Sequence, residues 1–336
     1  MTKPRVLVTH SLVYIGKEEL ASRFDVEQLV SEAPVKEREL KEKLKGKDGV
    51  ICFLTDKFNL PVLDSASELK VISSVSAGLD HVDLKEATRR GIYVTNTPRA
   101  LTDSVAEFAV ATLLAIAKRI PEADEIVRSG GWKGGWSLTY MLGPELKGKT
   151  LGIVGLGRIG SAVARKVGGF GLRVVYHDIV EKPEIENELG INFMPLEGLL
   201  AESDFVVLCV SLTDQTRGMI GAHQLGMMKK TAYLVNVSRG PVVDEKALVK
   251  ILKEGRIAGA ALDVFAKEPI GKSHPLTSLD NVVLTPHIAS ATVEARRAMA
   301  LRAFDNITSL FKGIAPTDLA NPEVMKIRPL DQLKML

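Results

Sequence analysis

Gly155, Gly157 and Gly160 stand as G-x-G-x-x-G between the apolar run Leu151–Val154 and a helical stretch read at Ala162–Gly168. A strand, a glycine turn and a helix in that order suit a dinucleotide diphosphate. The first glycine permits the tight turn, the second lets the backbone approach the phosphates, and the third lets helix and strand pack closely. The helix N-terminus adds N–H groups and a positive dipole. With Leu156, Arg158 and Ile159 between the glycines, residues 155–160 are the expected cofactor contacts. Asp178 follows the next apolar run, close to the spacing of about 20 residues at which an acidic side chain meets the ribose hydroxyls. A carboxylate there repels a 2′-phosphate, and the following "IVEKPEIE" contains no Arg, so NAD(H) is favoured over NADP(H). The alternative is a solvated carboxylate at a strand end.

Reducing a keto acid with such a cofactor takes three more groups. These are a cation for the carboxylate, a proton donor for the carbonyl oxygen, and a group that sets the donor's charge state. Three segments in the second half supply the residue types. "NVSRGPVVDE" puts Arg239 just past the strand candidate Tyr233–Asn236, where a guanidinium could grip a carboxylate with two parallel bonds. Arg239 could equally pair with Asp244 at the surface. "ALDVFAKEPI" puts Asp263 at a strand end and Glu268 five residues on, and "TPHIASAT" puts His287 beyond another strand. A carboxylate beside an imidazole fixes its tautomer and favours its cation. Spacing alone does not bring Glu268 and His287 into contact.

Residues in these positions need parallel strands whose carboxyl ends face one way, and the chain supplies them. Short β-branched runs alternate with helical stretches throughout, the pattern of α/β architecture with parallel sheets. The first part offers strands at Val6–Thr9, Gly49–Leu54, Val71–Val75 and Ile92–Val94, without a phosphate loop of its own. A long apolar helix follows over Val105–Ala117, with Ser104 and Glu107 as a capping box and Pro121 as its kink or end. The glycine- and tryptophan-rich stretch 129–150 reads as a loop. The second series has strands at Leu151–Val154, Leu172–Tyr176, Phe205–Val210, Tyr233–Asn236, Ile257–Asp263 and Val282–Leu284. A last helix, Ala291–Lys312, ends at the stop signal Gly313.

With 336 residues, the chain exceeds the size at which single cores stop growing, so two domains are expected. Its 44 basic and 41 acidic residues give a net charge of +3, too even for a nucleic-acid or membrane-surface binder. Cys52 and Cys209 sit in apolar runs with no metal-ligand spacing around them, as expected for buried thiols in a reducing compartment. Lys3 and Arg5 precede only a short apolar run, and the helix at Val105 is too short for a membrane span. The expected location is the cytosol, with no metal, membrane or nucleic-acid partner.

Taken in order, "VSAGLDHVD" (75–83), "GLGRIG" (155–160), "NVSRGPVVDE" (236–245), "LDVFAKEP" (262–269) and "TPHIASAT" (285–292) resemble the D-isomer-specific 2-hydroxyacid dehydrogenases. The resemblance spans nearly the whole chain. "HIASATVEAR" and "GGWKGGW" point to the glyoxylate/hydroxypyruvate reductase branch. It implies two doubly wound domains. A flavodoxin-like substrate domain is formed by residues 1–99 with 290–336, and a Rossmann dinucleotide domain, 100–289, is inserted into it. It implies that Arg239 binds the substrate carboxylate, His287 is the proton donor, and Glu268 orients and charges the imidazole. Backbone N–H groups near Ala77 and Gly78 would join Arg239 on that carboxylate. Asp263 would meet the nicotinamide carboxamide, Val237 and Ser238 would line the cofactor channel with Arg239 and His287, and the site would lie in a cleft that closes on substrate. Phe53, Leu54 and Trp136 are the candidate selectors of the keto acid. The helix from Val105 and the tryptophan loop suggest a homodimer interface or, alternatively, interdomain core. Ser211 stands where many relatives have proline. D-3-phosphoglycerate dehydrogenase, phosphite and formate dehydrogenases, and a non-catalytic NAD-sensing co-repressor are the competing readings.

Overall fold

Runs of three to five mostly apolar or small residues become the central strands of two parallel sheets, buried because helices cover both faces. The computed structural model describes residues 3–30 and 33–336. They divide into two units, Met1–Leu101 with Thr292–Leu336, and Thr102–Ala291.

The first unit runs β1 (Arg5–Val8), α1 (Lys17–Arg23), β2 (Asp25–Gln28), α2 (Glu37–Leu44), β3 (Gly49–Cys52), α3 (Leu60–Asp64), β4 (Val71–Ser74), α4 (Leu84–Arg89) and β5 (Tyr93–Thr95). Its strand order is β2-β1-β3-β4-β5, all parallel, the flavodoxin-like order. β2 was not expected from its sequence. It is a polar edge strand, DVEQ, that pairs only with β1, so it carries no apolar run to mark it.

The second unit runs α5 (Thr102–Ala117), α6 (Ile120–Arg128), β6 (Thr150–Val154), α7 (Arg158–Lys166), β7 (Arg173–His177), α8 (Pro183–Leu189), β8 (Asn192–Phe193), α9 (Leu196–Glu202), β9 (Phe205–Leu208), α10 (Ala222–Met227), β10 (Tyr233–Asn236), α11 (Glu245–Lys253), β11 (Gly259–Leu262) and β12 (Val282–Leu284). The parallel order is β12-β11-β10-β9-β6-β7-β8. The order reverses at β6 and β9, which is where doubly wound sheets open a crevice for ligands. On one side of that point, β9, β10, β11 and β12 follow one another both in the chain and in the sheet.

Around α5 the structure departs from the sequence pattern in two places. Ser104 is not an N-cap: α5 begins at Thr102, and the buried Ser104 hydroxyl donates to the Ala289 carbonyl at 2.9 Å. Glu107 instead pairs with Lys166 of α7 at 3.0 Å. Pro121 does not end the helix either. α5 stops at Ala117, Arg119 takes a left-handed turn with φ of 55°, and Pro121 lies in the first turn of α6, where its missing N–H costs nothing. α5 packs on α7, β10 and β11 of its own unit, so its apolar girth is core.

The chain ends with α12 (Val293–Phe311), which returns to the first unit and lies on β3 and β4. Gly49 in β3 permits that approach, since a Cβ there would come within 2.9 Å of Ile307 and 3.0 Å of Phe311. Gly313, with φ of 73°, follows the helix end as its left-handed stop. Among the described residues no helix is long and apolar enough to cross a membrane.

Candidate active site

β10, β11 and β12 pair in register, Asn236 beside Leu262 and Leu262 beside Leu284. Neighbouring strands lie about 4.8 Å apart, so the loops after these residues emerge in one row. Arg239 follows the first, Asp263 and Glu268 the second, and His287 the third.

His287 Nδ1 lies 2.7 Å from Glu268 Oε2, so the imidazole offers its Nε2 side to any reacting group. The other Glu268 oxygen accepts from the Phe265 N–H at 2.9 Å. Burial works to raise the Glu268 carboxyl. The His287 hydrogen bond and charge, the Phe265 N–H and the Arg239 cation together outweigh it and hold the group below its ordinary range. Glu268 is therefore an anion beside a histidine, with Arg239 near enough to act on it.

His287 has a left-handed backbone, φ of 55°. Such a conformation costs a non-glycine residue about 1–3 kcal/mol and persists only where its surroundings over-determine it. Asp263 supplies the restraint. It is buried, and its carboxylate accepts from the Thr285 hydroxyl (2.7 Å), the Ile288 N–H (2.9 Å) and the Ala289 N–H (2.8 Å). Its carbonyl takes the His287 N–H at 2.9 Å. Three of about four acceptor positions on the carboxylate are thus used on the turn that carries His287.

Asn236 does the equivalent for the Arg239 turn and was missed from the sequence. Its side-chain oxygen accepts from Ser238 N–H (3.0 Å) and Oγ (2.7 Å), and its amide donates to the Arg239 carbonyl (3.1 Å). Val237 and Ser238 are buried within this turn, and the Arg239 guanidinium donates to the Ser238 carbonyl at 2.9 Å. Asp244 caps α11 by accepting from the Ala247 N–H. Gly240 was also missed: a Cβ there would lie 1.9 Å from the Phe265 carbonyl carbon, so the Arg239 loop and the Glu268 loop touch backbone to backbone.

Across the switch point, the glycine loop follows β6. α7 starts at Arg158, earlier than Ala162, directly after its cap Gly157. The first-turn N–H groups of Arg158, Ile159 and Gly160 therefore lack partners within the helix and face outward along its axis. Gly155 has φ of 95°, and a Cβ at Gly160 would strike the Gly155 carbonyl at 2.0 Å. A Cβ at Gly157 would meet nothing within 4 Å, which leaves room for a diphosphate against the backbone. A cavity of about 810 Å³ lies here, lined by Leu156, Gly157, Arg158, Ser161, Lys182 and Ile185 among others. The half-buried Asp178 follows β7 and accepts from the Leu156 N–H at 2.8 Å, which ties it to the glycine loop. Open space at the second glycine, free helix N–H groups and an adjacent carboxylate fit a dinucleotide.

In the first unit, Ala77 and Gly78 follow β4. Asn96 Nδ2 donates to the Ala77 carbonyl (2.6 Å) and Ser76 Oγ to the Gly78 carbonyl (2.7 Å), which fixes the turn. Phe53 lies edge-on to His10 at 4.9 Å, and its N–H donates to the buried Asp56. Trp136 is exposed in the loop after α6. Among the described residues no group of three or more His, Cys, Asp or Glu could hold a metal ion.

Residues 110–289 match the family model described as D-isomer specific 2-hydroxyacid dehydrogenase, NAD binding domain. The chain is 50% identical to a glyoxylate reductase of Thermofilum pendens over 340 aligned positions, covering all of both chains. It is similar to the crystal structure of a protein from Thermus thermophilus, with a TM-score of 0.86 and 42% identity, covering 94% of this chain and 99% of that one. It is also similar to an NADPH-dependent glyoxylate/hydroxypyruvate reductase of Sinorhizobium meliloti solved with NADP and malonate, with a TM-score of 0.82 and 34% identity over 96% of this chain and 98% of that one.

Proposed function

Since this chain belongs to the D-isomer-specific 2-hydroxyacid dehydrogenases, we propose that Arg239, Glu268 and His287 carry its reaction, the NAD(H)-dependent reduction of glyoxylate and hydroxypyruvate to the 2-hydroxy acids. When bound, the nicotinamide supplies the hydride, or accepts it in the reverse direction. Arg239 binds the keto-acid carboxylate with its fork of N–H donors and sets the carbonyl against His287. His287 donates the Nε2 proton to the carbonyl oxygen as that oxygen becomes a hydroxyl. Glu268 holds Nδ1–H and balances the imidazolium before the transfer. Asp263 keeps the His287 turn in place, and its remaining acceptor position suits the nicotinamide carboxamide. The first unit, which carries the Ala77–Gly78 turn, is the substrate-binding domain on this reading. The observation that supports the assignment is the 2.7 Å contact between His287 and Glu268, on strand ends adjacent to that of Arg239.

The test is NADH oxidation, followed by absorbance, against glyoxylate, hydroxypyruvate, pyruvate, phenylpyruvate and 3-phosphohydroxypyruvate. Turnover fastest on glyoxylate or hydroxypyruvate is expected. Preference for the phosphorylated acid would move the protein to phosphoglycerate oxidation. Silence across the panel with NADH still bound would favour a sensor.

The expected preference for NADH over NADPH rests on Asp178. Asp178→Ala should narrow that preference, and, because the carboxylate also holds the Leu156 N–H, it should weaken NADH itself. A wild-type enzyme that favours NADPH would refute the assignment.

The exposed apolar side chains Ile120, Val127, Trp132, Trp136, Leu138 and Leu142 crowd α6 and the loop after it. Clustered apolar exposure of this kind marks a contact surface, and a homodimer through this face is our reading. Light scattering at micromolar concentration should give about twice the 36.4 kDa chain mass, and a monomer would remove the idea.

A further inference from the structure

Glu245 is the first residue of α11, directly after its cap Asp244. A glutamate in a first helical turn ordinarily needs nothing beyond water and the helix dipole. Here both oxygens are spent on protein groups, and the side chain is only 21% exposed. Oε2 accepts from the Ala266 N–H at 3.0 Å, and Oε1 lies 3.1 Å from His274 Nε2. His274 Nδ1 accepts from the Leu276 N–H at 3.4 Å. That bond leaves the ring proton on Nε2, so His274 donates to Glu245. The His274 ring also lies edge-on to Phe265, centroids 6.4 Å apart.

Ala266 lies within the turn Phe265–Glu268, whose last residue is the partner of His287. One side of that turn rests on Gly240, where even a methyl group has no room. The other side is held by the Glu245 carboxylate through the Ala266 N–H. Inside the turn, the Phe265 N–H holds the Glu268 oxygen that does not face His287. The Glu268 anion itself faces His287 and the Arg239 cation. Loss of the Ala266 bond would leave the turn unheld on its α11 side, where Glu268 is its last residue.

We propose that Glu245 is a positioning residue for the Glu268–His287 pair, acting through the Phe265–Glu268 turn, with His274 fixing its orientation. It touches neither substrate nor cofactor on this account. Outer partners of this kind hold reactive groups within the narrow tolerance that proton transfer needs. The proposal rests on the reading of Glu268 and His287 as the proton-transfer pair.

The experiment reads the hydrogen bond itself. In the full-length protein saturated with NAD⁺, the His287 Nδ1 proton held by Glu268 should give a far-downfield NMR resonance. Glu245→Ala is expected to move that resonance upfield or broaden it away. The same variant should lower kcat by about tenfold to a hundredfold, the scale of a small misplacement, while KM for NADH stays within about twofold. Glu245→Gln keeps one acceptor for the Ala266 N–H and should fall between the two. Asp244→Ala removes the helix cap and should lower the melting temperature without moving the resonance. A wild-type resonance in Glu245→Ala overturns the proposal, as does an equal shift in Asp244→Ala. Should Glu245→Ala not fold, an unshifted resonance in Glu245→Met, which keeps the side-chain volume and offers the Ala266 N–H no carboxylate, has the same force. The resonance reports the Glu268–His287 bond whether or not the pair transfers the proton, so failure of the catalytic reading shows separately, as full turnover without His287.

Discussion

Replacing His287 by alanine should cut turnover by about 10²–10⁴-fold and leave NADH affinity nearly unchanged. The range is that of a positioned general acid. The separation of effects follows from the fold. His287 hangs from the end of β12, on the far side of β9, β10 and β11 from β6, whose glycine loop offers the dinucleotide its N–H groups. The backbone of the turn should survive the change, because Asp263 holds Thr285, Ile288 and Ala289 and not the imidazole. Stopped-flow hydride transfer and NADH titration, run on the same preparation, decide it, and unchanged turnover would remove His287 from the mechanism. The pH profile carries a linked expectation. The native Glu268 carboxyl lies below its ordinary range, so its charge, and the stability that comes from its partners, is fully present above the unfolded value of about 4.3. Both are lost as pH falls through the lower native value. The acid-side loss due to this pair should therefore begin below the usual carboxylate range, and Glu268→Gln should remove that limb.

Arg239→Leu should lower kcat/KM by roughly 10²–10³-fold, the equivalent of about 3–4 kcal/mol, from the loss of one member of a desolvated charge pair. Arg239→Lys should recover only part of this, because a point charge cannot reproduce two parallel bonds to a planar carboxylate. The substitution by leucine also takes a cation away from Glu268, so the acid limb should move upward in pH. The two variants, assayed on glyoxylate with NADH saturating, separate these effects. Equal activity of Lys and Arg at position 239 would mean that the carboxylate is bound elsewhere.

The strands of the second unit were legible because burial on both faces leaves them almost wholly apolar, with turns of Gly, Pro and Asp between. For the same reason β2 and the two-residue β8 were not: edge strands can be polar, and nothing in DVEQ distinguishes pairing from loop. Arg239, Glu268 and His287 could be picked out because charged residues just past apolar strands have few structural duties. Their contact could not, since it depends on β11 and β12 being neighbours. Ser104 looked like a cap because serine followed by glutamate is a local pattern, while its actual partner, Ala289, lies far along the chain. Asn236, Gly240, Glu245 and His274 stayed hidden because each acts through contacts that their own sequence neighbourhood does not mark.

The order of the second sheet also sets an order of assembly. A chain synthesised from its N-terminus releases β6, β7 and β8 first, then β9 on the other side of β6, and then β10, β11 and β12, each added outside the last. The glycine loop and Asp178 therefore leave the ribosome well before Glu268 and His287. Arg239 arrives next, Glu268 after it, and His287 only with the outermost strand. On the proposed assignment, a chain cut short after β10 would carry the residues offered to the dinucleotide without His287, the proposed proton donor.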